Sequence, residues 1–192
     1  MDRAVRDFLD VLLVQDGASP QTVRAYASDL AQFQAFAGTV LNARGVLPLE
    51  SVNSALIREF LAARDRQGDK KTSLARKVAC LRSFFRYLVR VGRLQVNPAE
   101  EVHAPKLPKP LPQVLTKDAA AALMEFPDGP QPDTLRDRAI LETLYATGAR
   151  VSELVGMNCE DLSRSEGVVR VRGKGQKERI IPISRLALEA IE

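Results

Sequence analysis

From His103 to Pro112 the chain reads HAPKLPKPLP, with four prolines in the eight residues from Pro105 onward. Each proline fixes its own φ and removes an amide donor, so the stretch can neither continue a helix nor take a central place in a sheet. It predicts a stiff linker over residues 105–114, parting a domain of residues 1–104 from a second one of residues 115–192. With 192 residues and 45% hydrophobic side chains, the chain can fill one good core or two small ones. The prolines decide for two.

Before the linker, apolar residues recur at spacings of three and four, the period of helices. Val5, Phe8, Leu9, Leu12 and Leu13 share a face, and Gly17 supplies a stop. Ser19-Pro20 is a start signal, because the hydroxyl caps free amides and proline needs no amide partner in the first turn. That second helix runs through Val23, Tyr26, Leu30, Phe33 and Phe36. A third is predicted from Asn53 or Ser54 towards Gly68, burying Leu56, Ile57, Phe60 and Leu61. A fourth, with Thr72 or Ser73 as its cap and Gly92 as its stop, is lined by Leu74, Val78, Leu81, Phe85 and Leu88. Asn97-Pro98 opens one further turn.

A net charge of +4 is only mildly basic, but its distribution is uneven. Between Arg64 and Arg93, ten lysines and arginines stand against two acids, Asp65 and Asp69. On the fourth helix Arg82, Arg86, Arg90 and Arg93 fall beside the apolar face, and Arg76 and Lys77 extend the basic run towards its start. A merely solvated face usually mixes signs and gains i,i+4 pairs, so arginines without an interleaved acid point to the backbone of double-stranded DNA. These six residues are the candidate DNA contacts; Lys106 and Lys109 add charge on the linker.

Other classes recede. No apolar run approaches the roughly 20 residues that span a bilayer, and the N-terminus MDRAVRDFLD is charged rather than signal-like. No membrane role and a cytoplasmic location are the expectation. Cys80 and Cys159 form no close pair, and with His103 they offer no metal-ligand spacing, so free thiols and no metal are expected.

After the linker, a helix capped by Thr116 carries Ala119 to Ala122 and ends at Pro127. Another, from Asp133 or Thr134, carries Leu135, Ile140, Leu141, Leu144 and Tyr145 to Gly148. The period then changes: Val168, Val169 and Val171, and later Ile180, Ile181 and Ile183, flank Gly173-Lys174-Gly175-Gln176 as a hairpin would. Ser184 caps a further helix. The expected fold class is mainly α, with helices throughout the first domain and a mixed α+β second domain in which helices accompany a β-hairpin.

Two cations stand out for chemistry. Arg150 follows Gly148 at the start of a helix through Val151, Leu154 and Val155, where free amides and the helix dipole favour an anion and a guanidinium can bind two phosphate oxygens. Glu153, one turn on, either orients that guanidinium or is simply an acid well placed near a helix start. Lys174 sits between two glycines at the hairpin tip, and a lysine held beside other cations can become a proton donor. Taken singly, a surface arginine and a solubilising lysine are the ordinary alternatives. GKGQKER is not a P-loop, which needs a longer glycine-spaced loop and Ser or Thr after the lysine.

The segments ATGARVSELVGM, from Ala146, and VVRVRGKGQKERIIPI, from Val168, closely resemble the tyrosine recombinases of the phage integrase family, and among them the Xer type. The resemblance extends to SPQTVRAYASDLAQF from Ser19, SLARKVACLRSFFRYLV from Ser73 and NPAEEVHAPKLPKPLP from Asn97. It implies that residues 1–104 are a helical, SAM-like core-binding domain that clamps duplex DNA, and that residues 115–192 are the first part of the catalytic domain. Arg150 then corresponds to the first catalytic arginine and Lys174 to the catalytic lysine, with Glu153 orienting. The implied reaction is site-specific recombination, in chromosome dimer resolution. A tyrosine hydroxyl attacks a scissile phosphate, giving a 3′-phosphotyrosyl link and a free 5′-hydroxyl, with no cofactor. Arg150 neutralises the non-bridging oxygens and Lys174 protonates the leaving oxygen. The implied partners are duplex DNA and further recombinase subunits, paired or tetrameric on it.

The same resemblance calls for a His-x-x-Arg motif, a further His or Trp and a nucleophilic tyrosine in the C-terminal part of the catalytic domain. The sole histidine, His103, opens the proline-rich stretch that leads into the linker, and Tyr26, Tyr87 and Tyr145 fall in predicted helices before the hairpin. Tyr26 and Tyr145 read as core or near-core aromatics, and Tyr87 as a neighbour of the arginine stripe. The expectation is therefore the N-terminal portion of a recombinase, inactive alone in strand cleavage; a catalytically inactive DNA-binding fragment or remnant is the alternative.

Overall fold

The computed structural model describes residues 1–42, 47–107, 111, 114–173, 175 and 177–192. Most of the proline stretch beyond Leu107, Lys109 included, and Lys174 at the hairpin tip lie outside the described residues. The chain divides into two compact units, Met1–Pro110 and Leu111–Glu192.

In the first unit, helices α1 (Asp2–Val14), α2 (Pro20–Val40), α3 (Ser54–Arg66) and α4 (Lys71–Arg90) surround an aromatic core. The Ser19 hydroxyl accepts the Thr22 amide and Pro20 opens α2, while the Asn53 side chain accepts the Leu56 amide to open α3. Helix α4 begins at Lys71, earlier than Thr72 or Ser73 would have it as cap, and no side chain caps it. Gly92, past its end, adopts the left-handed φ of 71° that lets the chain turn away. Phe33 meets Phe60 edge-on at 5.3 Å between ring centres, and Phe8 meets Phe84 in the same way at 5.4 Å. All four rings are buried, and edge-to-face pairs of this kind add to what area burial alone supplies.

The turn expected at Asn97-Pro98 forms, with the Asn97 side-chain oxygen accepting the Ala99 amide. Ala99 and Val102 are buried against the helices, so the chain that follows α4 is part of this core. Arg82 ties it down by donating to the Val102 carbonyl at 2.8 Å and to that of Ala99 at 3.5 Å.

One polar cluster is buried in this unit. Asp29 of α2 and Lys77 of α4 are 1% and 2% exposed, and the lysine donates to the Asp29 carboxylate at 2.9 Å. Lys77 also donates to Gln32 at 2.9 Å and lies 3.5 Å from Asp69, which Arg64 grips with two hydrogen bonds. Arg76 pairs with the other oxygen of Asp29. The network satisfies charges that would otherwise be costly to hold away from water.

The second unit consists of α5 (Lys117–Glu125), α6 (Pro132–Thr147), α7 (Val151–Val155), three short strands and α8 (Arg185–Ile191). Thr116 and Ser184 cap α5 and α8 with their hydroxyls, as their spacing predicts. Strands β2 (Val168–Arg172) and β3 (Glu178–Pro182) form the expected hairpin, and β1 (Leu162–Ser163), too short to show a period, pairs with the outer side of β2. The sheet is antiparallel in the order β1-β2-β3. Val169 and Val171 face a small core with Ile183 and Ala187.

Tyr145 corrects its expected place in a core: it is 73% exposed. Helix α6 carries apolar residues around most of its circumference, and the second unit covers only part of it. Leu135 of α6 is likewise exposed, as are Val151 and Val155 of α7. Among the described residues, no helix is long and apolar enough to cross a membrane.

Candidate phosphate site and nucleic-acid interface

Arg150 is delivered by a tightly made turn. The Thr147 hydroxyl donates to the Thr143 carbonyl at 2.6 Å and accepts the Ala149 amide at 3.2 Å, while Gly148 takes a left-handed φ of 61° between them. A side chain with a Cβ is strained there. Arg150 then precedes α7 with an extended backbone, and its side chain is 74% exposed.

Beneath it lies Glu153, whose side chain is 2% exposed. Its Oε2 accepts the Arg150 amide at 2.8 Å and its Oε1 accepts the Arg150 guanidinium at 3.0 Å. The carboxylate is held from the other side by Arg179 of β3, through two hydrogen bonds of 2.6 and 2.8 Å. The Arg179 fork, followed by the Arg150 amide, pulls the Glu153 carboxyl down to about 2. Glu153 thus holds both the backbone amide and one guanidinium nitrogen of Arg150, and the amide expected to be free for an anion there is occupied by this carboxylate.

A group whose folded pKa is depressed gives stability that is complete above its unfolded pKa and is lost as pH falls through the folded one. Glu153→Gln should thus lose stability relative to the parent chain by an amount that is constant at neutral pH. That difference should shrink as pH falls from about 4.5 towards 2. Denaturant unfolding of both chains across that range is the measurement, and a difference independent of pH would count against the Glu153 assignment.

Arg179 did not emerge from sequence motifs, yet a signal existed. In β2 and β3 directly paired residues share a face, and Arg179 pairs with Val171, a core residue. A charged residue at an inward strand position asks for a buried partner. Gly173, at the end of β2, completes the surroundings: a Cβ there would come 3.1 Å from Glu153 Oε1. Close approach, rather than a left-handed backbone, accounts for that glycine.

The candidate DNA contacts on α4 and just past its end separate into two groups. Arg86 and Arg90 are exposed; Arg86 lies 4.0 Å from Glu100, and Arg90 caps the ring of Tyr87 at 5.6 Å. Arg93 faces Asp7 at 3.3 Å. Arg82 is turned to backbone carbonyls, and Arg76 to Asp29. Lys77 corrects the expectation outright, since it is buried among Asp29, Asp69 and Gln32 and cannot reach a phosphate backbone without unfolding its surroundings. The acids missing from the helix itself arrive from other elements, as Asp7 and Asp29 of α1 and α2 illustrate. Cys80 is a buried free thiol pushed up by burial, and Cys159 an exposed one.

Two family models match: "Phage integrase, N-terminal SAM-like domain" over residues 5–92 and "Phage integrase family" over residues 113–192. The tyrosine recombinase XerC of Thermodesulfovibrio yellowstonii is 44% identical over 188 residues, covering 98% of this chain and 60% of that protein. The tyrosine recombinase XerD of Pseudomonas aeruginosa is 43% identical over 185 residues, with 96% and 60% covered. The chain thus spans about 60% of the length of these curated relatives. Its fold is similar to that of the lambda integrase chain in a dimer bound to a COC′ core site (TM-score 0.70, 21% identity, 100% of this chain and 65% of that one). The XerH site-specific recombinase bound to a palindromic difH substrate is similarly close (TM-score 0.69, 17% identity, 91% and 52% covered).

Proposed function

Because this chain belongs to the phage integrase family, as a tyrosine recombinase of the Xer type, we propose that it binds duplex recombination sites and supplies part of the machinery that cleaves and rejoins their strands. In this reading the first unit is the core-binding clamp and the second the opening part of the catalytic domain. The observation that carries it is the Arg150 guanidinium, mostly exposed and held at its root by a saturated, buried carboxylate. Such a group is preorganised to meet charge growing on a phosphate. Lys174, by the resemblance, protonates the leaving 5′-oxygen.

None of the three tyrosines is proposed as nucleophile. Tyr26 stacks on Phe8, and Tyr87 is 9% exposed beneath Arg90. Tyr145 is exposed on α6, but no hydrogen-bonded base or cation accompanies it among the described residues. The chain by itself is accordingly a DNA-binding species without strand cleavage, and it acts in recombination, of which chromosome dimer resolution is the proposed instance, together with the remaining catalytic groups and with further subunits on the DNA.

The test is duplex binding across a range of salt, followed by fluorescence anisotropy. Replacing both Arg86 and Arg90 by Ala should weaken binding and make the slope of log affinity against log salt shallower by about 2, the share of two phosphate contacts. An unchanged slope would remove α4 from the interface.

A further inference from the structure

We propose that Arg179 is a positioning residue for Arg150: by occupying both oxygens of Glu153 it keeps that carboxylate from closing on the Arg150 guanidinium, whose outer edge stays open for a phosphate diester. The inference rests on the phosphate reading of Arg150 given above.

A carboxylate offers about four lone-pair positions. Here four donors fill them: the two nitrogens of the Arg179 fork, the Arg150 amide and one Arg150 guanidinium nitrogen. Arg150 therefore spends a single side-chain nitrogen on Glu153, and among the described residues its other guanidinium donors have no protein acceptor. The charges also sum in its favour. Two arginines and one glutamate leave a net positive charge at a site whose buried member is the acid.

Without Arg179 the same carboxylate would be left in its pocket with half its acceptors unfilled, and among the described residues the cation already bonded to it would be Arg150. A fork-to-fork pair would then form between them, cancelling the charge and covering the edge a phosphate needs. Gly173 packs closely against this carboxylate, since a Cβ there would come 3.1 Å from Glu153 Oε1. Arg179 of β3 pairs with Val171 and so shares its face of the sheet, and its half-exposed side chain is held there by both Glu153 oxygens.

Inorganic phosphate is a suitable probe, with the Arg150 side-chain Nε–H resonance as the reporter in the 192-residue chain. Arg150→Lys identifies that resonance. In the parent chain phosphate should shift it. Arg179→Ala should weaken the phosphate response about tenfold, the scale of one charge-assisted hydrogen bond. Adding Glu153→Gln to Arg179→Ala should restore the response to within about threefold of the parent, because a neutral amide no longer competes for the guanidinium. A merely structural role for Arg179 predicts the reverse, since the second substitution would compound the damage.

Phosphate affinity unchanged in Arg179→Ala, or not restored in the double variant, overturns the inference while leaving the phosphate site intact. An Arg150 resonance that ignores phosphate in the parent chain overturns the phosphate site and the inference together. Should Arg179→Ala fail to melt cooperatively, Arg179→Lys decides: one ammonium cannot fork both oxygens, so phosphate binding should weaken about threefold, and parental affinity would overturn the inference.

Discussion

In a recombinase that contains this chain together with a nucleophilic tyrosine, Arg150→Ala is expected to slow strand cleavage by about 10²- to 10³-fold. Affinity for the duplex should change far less, since one phosphate contact among many is lost. The asymmetry follows from when the interaction is made: a guanidinium beside the non-bridging oxygens is worth most as charge accumulates there in the transition state. Its amide and one side-chain nitrogen already bind Glu153, so the group arrives oriented and needs little rearrangement. Covalent protein–DNA adduct formation on a labelled duplex reads cleavage, and anisotropy on the same duplex reads affinity. Cleavage that survives the substitution while affinity collapses would make Arg150 a docking residue instead.

The second large effect belongs to the first unit. Asp29→Ala should destabilise it by about 3–5 kcal/mol, because the change strands a buried ammonium rather than deleting a favourable contact alone. Lys77 would keep Gln32 and a more distant Asp69, neither of which replaces a carboxylate at 2.9 Å. Replacing Lys77 by Met should cost much less, since Asp29 retains Arg76 and the new side chain refills the space of the lysine stem. Denaturant unfolding of the chain and its two variants makes the comparison. A loss below about 1 kcal/mol for Asp29→Ala would show that water or rearrangement relieves the lysine.

Local chemistry was the legible part of this sequence. Ser19, Asn53, Thr116 and Ser184 announce their helices because a capping oxygen and the amide it accepts lie within three residues of each other. Period two announced β2 and β3, whereas β1 has too few residues to carry a period. What stayed hidden depends on pairs far apart in the chain. Lys77 looks like a phosphate contact on its helix and becomes a core residue only when Asp29, 48 positions earlier, is packed against it. Arg93 meets an acid 86 positions away. The candidate site follows the same division: Arg150 and Glu153 were readable as one turn of helix, and Arg179, 26 residues beyond Glu153, was not. Tyr145 is exposed where a core or near-core place is expected, because an aromatic at a helical spacing reveals a stripe without revealing whether anything covers it.

The cations of α4 have consequences for how defects in such a protein would present themselves. Arg86 and Arg90 are exposed and touch the fold only through Glu100 and the Tyr87 ring, so, with the DNA contacts proposed for them, their loss is expected to give a defect that temperature alters little and that low ionic strength partly conceals. Lys77, Arg76 and Arg82 are bonded into the fold itself, and substitutions that leave their partners unpaired are expected to act through stability, as conditional alleles competent in the cold and failing on warming. A genetic screen scored only by loss of recombination would merge the two sets into one apparent DNA-contact surface. Scored at two temperatures, it would pull them apart along a single helix.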